Sequence, residues 1–176
     1  MARTNDTVQL VQQVQSTQSR VKSVSVYDKE KKSILAQLRN VKYLKDYKAL
    51  MRHYKNDKEV VLTAIKQDIR TLRFASTSLK KDKEVVLAAV KQYGWALEDA
   101  SDALKDDKEF IIDVLKVNAY ALRFINKKFK FDPNFILKAV KSNRDVLKHL
   151  SPEMKKRVEN RLEEEAIVDR CQMQFS

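Results

Sequence analysis

A chain of 176 residues with 43% hydrophobic content is long enough for one domain with a buried core. One Gly and two Pro leave little turn chemistry for a sheet protein, a lone Cys excludes an intrachain disulfide or cysteine metal cluster, and no apolar run reaches the roughly 20 residues of a membrane span. The net charge of +12 is uneven: residues 1–56 carry 12 Lys or Arg against 4 Asp or Glu, residues 57–131 carry 15 against 12, and residues 132–176 carry 9 against 8.

The first 27 residues are rich in Gln, Ser, Thr and Val. Thr7, Leu10, Val14, Thr17, Val21 and Val24 keep a heptad that two Thr weaken, so a frayed helical arm and a disordered one both remain open. A helical arm could pair with a second copy of the chain. The stretch lacks the basic, apolar and small-residue order of a secretory signal, and a location in the cytoplasm of the producing cell is the expectation.

Residues 28–56 are basic and read as one or two helices between Ser33 and Tyr54. Tyr47, Leu50 and Tyr54 stand 25 residues before Leu72, Ala75 and Leu79, which predicts a degenerate half-repeat capping the segment from Asp57 onward.

Within residues 57–150 one 25-residue pattern opens four times without insertion or deletion, on Asp57, Asp82, Asp107 and Asp132, the fourth copy running on to Lys156. A fixed period of this length marks stacked supersecondary units. Each Asp is the expected N-cap of a first helix of about ten residues, and Pro133 suits the first helical position of the fourth copy. Glu59, Glu84 and Glu109 favour the positive end of the helix dipole, while Lys66, Lys91, Lys116 and Lys141 favour the negative end. The apolar surface Val60, Val61, Leu62, Ala64 and Ile65 is wider than one stripe, as a helix packed on two neighbours requires. Gly94, Asn118 and Asn143 follow the first helices and suggest left-handed stops. A second helix is then predicted from the columns led by Leu72, Ala75 and Leu79, spaced 3 and 4 apart. The fold class is therefore all-α: a short α-solenoid of helix pairs with terminal capping helices. Residues 151–176 supply the last cap, with Met154, Val158, Leu162 and Ala166 on one face of a helix opened by Ser151-Pro152.

The word Lys83-Glu84-Val85-Val86-Leu87-Ala88-Ala89-Val90-Lys91-Gln92-Tyr93-Gly94, followed by Ala96-Leu97 and Ala100-Ser101, resembles a tandem helical repeat family catalogued as unknown-function family 4116. The resemblance covers residues 57 to about 150. Arg73-Phe74 and Arg123-Phe124 match each other but neither Glu98-Asp99 nor Lys148-His149, a higher period of two copies like that family's paired units. The resemblance implies an α-helical repeat fold and occurrence in host-associated bacteria, candidate translocated effectors among them, and so a protein partner in a host cell. It implies no catalytic residue.

Columns that vary between copies are released from packing and available to a partner. They contain Arg70, Trp95 and Tyr120, and in a second column Tyr93, all of hot-spot type. The competing reading is partial burial between helices. An anion-directed function would use Lys29, Lys31, Lys32, Lys42, Lys45, Lys48, Arg52 and Lys55, with nucleic acid or an acidic membrane surface as partner. The columns led by Lys66 and Lys80 could add ladders of cations, although helix-end electrostatics is the plainer account. His53 and His149 are the only histidines, and no phosphate-cradling Gly loop, metal motif or nucleophile elbow accompanies them. A non-catalytic binding or adaptor module without metal or cofactor is expected.

Overall fold

The computed structural model describes residues 26–39 and 44–174. The expectations for the heptad arm, Lys42 and the side chains of Lys45 and Leu50 fall outside the described residues. All elements among the described residues are helical. A helix over 26–38 (α1) is followed by α2, Leu44–Tyr54. Four ten-residue helices come next: α3 Lys58–Gln67, α4 Lys83–Gln92, then, beyond the short α5 Asp102–Asp106, α6 Lys108–Val117. The short α7, Lys127–Lys130, precedes α8, Pro133–Ser142, and α9 runs over Pro152–Gln174.

The capping chemistry read from the sequence is realised. Asp57, Asp82, Asp107 and Asp132 each accept from the backbone N–H groups two and three residues on, at 2.9–3.2 Å. Satisfying two otherwise orphaned donors fixes where each helix starts. The next apolar residues fill the core. Val60, Val61, Ala64 and Ile65 recur as Val85, Val86, Ala89 and Val90, as Phe110, Ile111, Val114 and Leu115, and as Phe135, Ile136, Ala139 and Val140, all buried. Each large member contributes about 1.5–3 kcal/mol by leaving water. The helices pack in chain order, α3 on α4, α4 on α6, α6 on α8 and α8 on α9.

The second half of each copy differs from the predicted continuous helix. It begins as a 3-10 segment, Ile69–Phe74, Gly94–Asp99, Ala119–Arg123 or Arg144–His149. In the first two copies the chain then straightens at Ala75 and Ala100, whose backbones are extended. The reason is a hydrogen bond that a continuing helix would forbid: Ser76 N–H donates to the Lys55 carbonyl at 2.9 Å and Ser101 N–H to the Lys80 carbonyl at 3.0 Å. The first bond reaches back to the segment before Asp57 and the second to the preceding copy. In the third copy the Asn126 side-chain amide makes the equivalent bond to the Lys105 carbonyl at 3.2 Å. Columns spaced by three are eclipsed in a 3-10 helix, so Ile69 and Leu72 face the core together.

The expected left-handed stops are also corrected. No described residue has positive φ. The first helices end instead on extended residues, Asp68, Tyr93, Asn118 and Asn143, whose N–H groups close on Ala64, Ala89, Val114 and Ala139. Asp68, Asn118 and Asn143 simultaneously cap the 3-10 segment, accepting from Arg70, Tyr120 and Asp145 N–H. One residue thus ends one helix and opens the next. Gly94 serves close approach: a Cβ there would lie 2.7 Å from Ala121 N and 2.9 Å from its Cα, because the second and third 3-10 backbones abut.

Candidate binding surface

One pair of charged columns is engaged between copies, the Lys after each opening Asp with the Asp that opens the next copy. Lys58 meets Asp82 and Glu84 at 2.8 and 2.6 Å, Lys83 meets Asp107 at 2.7 Å, and Lys108 approaches Asp132 at 3.7 Å. The series extends backward into α1, where Lys31 meets Asp57 at 2.9 Å and Glu59 at 2.7 Å. Tyr27 Oη also donates to Asp57 at 2.9 Å. Burial opposes ionisation of Asp57, but the bonds from Lys31, Val60 N–H and Tyr27 outweigh it and hold the carboxyl below its ordinary value. Asp82 shows the same balance with Lys58, and Asp107 is lowered chiefly by its bond from Lys83. These groups are spoken for by structure.

This places the predicted anion-binding residues in two groups. Lys31 is engaged in the ladder, and its ammonium is raised by bonds to Glu59 and Asp57. Lys29 and Lys32 are exposed on α1. Lys48, Arg52 and Lys55, on and just after α2, are exposed and line a recess of about 430 Å³ with Ala49, Met51 and Phe74. None of these three cations forms an ion pair with a described residue.

The predicted partner-binding residues separate as well. Arg70 forks onto its own cap, Asp68, at 2.6–3.2 Å, and that guanidinium holds the Asp68 carboxyl low. Trp95 is half-buried against the core, with the exposed Tyr93 ring 6.3 Å away. Tyr120 is exposed one copy later, and its ring gathers three neighbours: Phe124 at 5.6 Å, His149 edge-on at 5.5 Å, and the Arg123 guanidinium at 5.4 Å. Aromatic and cation–π geometry of this kind holds the rings in place without burying them. The two clusters sit on adjacent 3-10 segments, whose backbones touch at Gly94 and Ala121.

A second recess, of about 290 Å³, opens beside the Tyr120 cluster and is lined by Leu122, Arg123, Lys130, Phe131, His149, Leu150, Ser151 and Met154. Lys130 donates to the Arg123 carbonyl, as Lys80 does to the Arg73 carbonyl at 2.8 Å two copies earlier. Burial pushes the Lys130 ammonium down, and nearby Arg123 and Lys127 push the same way. Among the described residues no group of His, Cys, Asp and Glu could hold a metal ion, and no helix is long and apolar enough to cross a membrane.

Residues 53–105 and 107–155 match, as two adjacent units, the family described as Domain of unknown function (DUF4116). The chain belongs to this family. No curated protein and no solved structure matches it. Each DUF4116 unit spans about two of the 25-residue copies, in step with the Lys80–Arg73 and Lys130–Arg123 bonds that recur once per unit. Within the DUF4116 units, the column led by Lys80 contains Lys130, but reading the sequence by single columns missed the residues that gather with it at the second recess, Arg123, Phe131 and His149. The available signal was a combination of columns. It also missed that Ser76, Ser101 and Asn126 form one column with Ser151, cap-type side chains that follow the 3-10 segments. Three of them accept from the N–H three residues on: Leu79, Leu104 and Met154.

Proposed function

We propose that this chain is a non-catalytic binding or adaptor module, built as a short α-solenoid whose copies stack between α1–α2 at one end and α9 at the other. The order of helix packing and the ladder of ion pairs from Lys31 to Asp132 support stacking in a single direction. Nearest-neighbour contact of this sort presents one continuous face.

The observation that carries the functional reading is the exposure of two aromatic residues on adjacent 3-10 segments, Tyr93 at 55% and Tyr120 at 41%. Large aromatic side chains held by neighbouring rings lose little entropy when covered, which suits them to a protein partner. A host protein is the partner class proposed. A photo-crosslinking residue placed at Tyr93 or Tyr120 should give one discrete adduct that the same residue at Glu163, on α9, does not. Equal adducts at all three positions, or none, would remove the reading.

A further inference from the structure

The two recesses are one feature of the repeat seen twice. Lys48, Lys55 and Phe74 line the first, and residues 75 later in each case, Arg123, Lys130 and His149, line the second. The same three columns pass through two intermediate positions. There they read Arg73, Lys80 and Asp99, then Glu98, Lys105 and Phe124. Each intermediate set contains a carboxylate. Asp99 turns one carboxyl oxygen into a buried place without a hydrogen-bond partner, and Lys105 is further paired with Asp102 at 2.8 Å. The end sets contain no carboxylate, and no acidic side chain among the described residues lines either recess.

Among the described residues, the cations of the two recesses therefore have no carboxylate beside them. In the second recess Lys130 is partly buried and lowered by burial, Arg123 and Lys127, while Arg123 and His149 are both held against Tyr120. In the first, Lys48, Arg52 and Lys55 line one recess together with Phe74. A bound anion would relieve the repulsion among these cations, and the charge-assisted bonds available from guanidinium and ammonium groups are the stronger class of hydrogen bond. We propose that the two end recesses bind oxyanions of the phosphate class, one at each end of the row, and that Glu98 and Asp99 prevent the intermediate positions from doing so. The ligand is a phosphate free in solution or carried as a lipid headgroup.

The full chain is titrated with inorganic phosphate, with potassium chloride at matched ionic strength as control, while NMR follows Arg52, Arg123 and His149. Saturable shifts at both recesses in phosphate and not in chloride are expected. Arg123→Gln should weaken the response at His149 by about tenfold and leave that at Arg52 in place, and Arg52→Gln should do the reverse. Asp99→Asn should add a response at Arg73. Identical behaviour in chloride, a response indifferent to Arg52→Gln and Arg123→Gln in folded variants, or no gain from Asp99→Asn overturns the proposal. Flotation with phosphatidylcholine vesicles, with and without phosphatidic acid, distinguishes the source. Flotation only with phosphatidic acid, lost in the Arg52→Gln/Arg123→Gln double variant, assigns a headgroup; no flotation with a retained phosphate response assigns the free ion.

Discussion

The Asn118 side-chain amide donates to the Val90 carbonyl at 2.8 Å while its oxygen accepts from Tyr120 N–H at 3.1 Å. One side chain thereby opens its own 3-10 segment and ties off the helix of the preceding copy. Asn143 repeats the arrangement, donating to the Leu115 carbonyl at 2.9 Å. Asp at position 118 would keep the cap acceptor but set a carboxylate against a carbonyl. Asn118→Asp is therefore expected to lower stability by about 1–3 kcal/mol at neutral pH. Urea unfolding would show it as a lower midpoint with an unchanged slope.

Gly94 gives a result opposite in sign to the usual rule. In a helix, replacing Gly by Ala ordinarily stabilises by about 0.5–1 kcal/mol. At Gly94 the added Cβ would meet Ala121 N at 2.7 Å, and backbone cannot step aside as a flexible side chain can. Gly94→Ala is expected to destabilise by about 1–3 kcal/mol. Thermal unfolding of the variant beside the parent chain measures it.

Asp caps, Glu and Lys at helix ends and the buried columns are local or periodic properties, so they could be read without coordinates. The break at Ala75 and Ala100 could not. It depends on Ser76 and Ser101 finding the Lys55 and Lys80 carbonyls, partners 21 residues earlier in the chain. Gly94 was likewise misread because its requirement comes from Ala121 on another segment and not from its own φ. At the surface the sequence supplied the aromatic residues, but their grouping depends on register between copies. Tyr120 meets His149 across 29 positions, a pairing that no single column displays.

The ladder makes stability sensitive to acid. Asp57, Asp82 and Asp107 are held below the ordinary Asp value of about 3.9. Above that value both folded and unfolded chains are ionised, and the stabilisation is complete. As pH falls through about 4 and toward the lowered folded values, the unfolded chain binds protons first and stability is lost. Denaturation midpoints should therefore decline between about pH 5 and about pH 2. Lys58→Met removes the partner of Asp82 and should flatten that decline, whereas an unchanged slope would show that the pair carries no linkage.

Trp95 and Tyr93 lie two residues apart yet should separate packing from recognition. Trp95 is half-buried against the core, so Trp95→Ala is expected to lower stability by about 2 kcal/mol, less than for a fully buried ring. Tyr93 is 55% exposed with its ring beside that of Trp95, so Tyr93→Ala should stay within about 0.5 kcal/mol of the parent. If Tyr93 faces a partner, its variant loses the crosslinked adduct formed from Tyr120 while its melting temperature is unchanged. A Tyr93→Ala chain that unfolds as early as Trp95→Ala would place Tyr93 with the packing residues and leave Tyr120 alone to carry the surface.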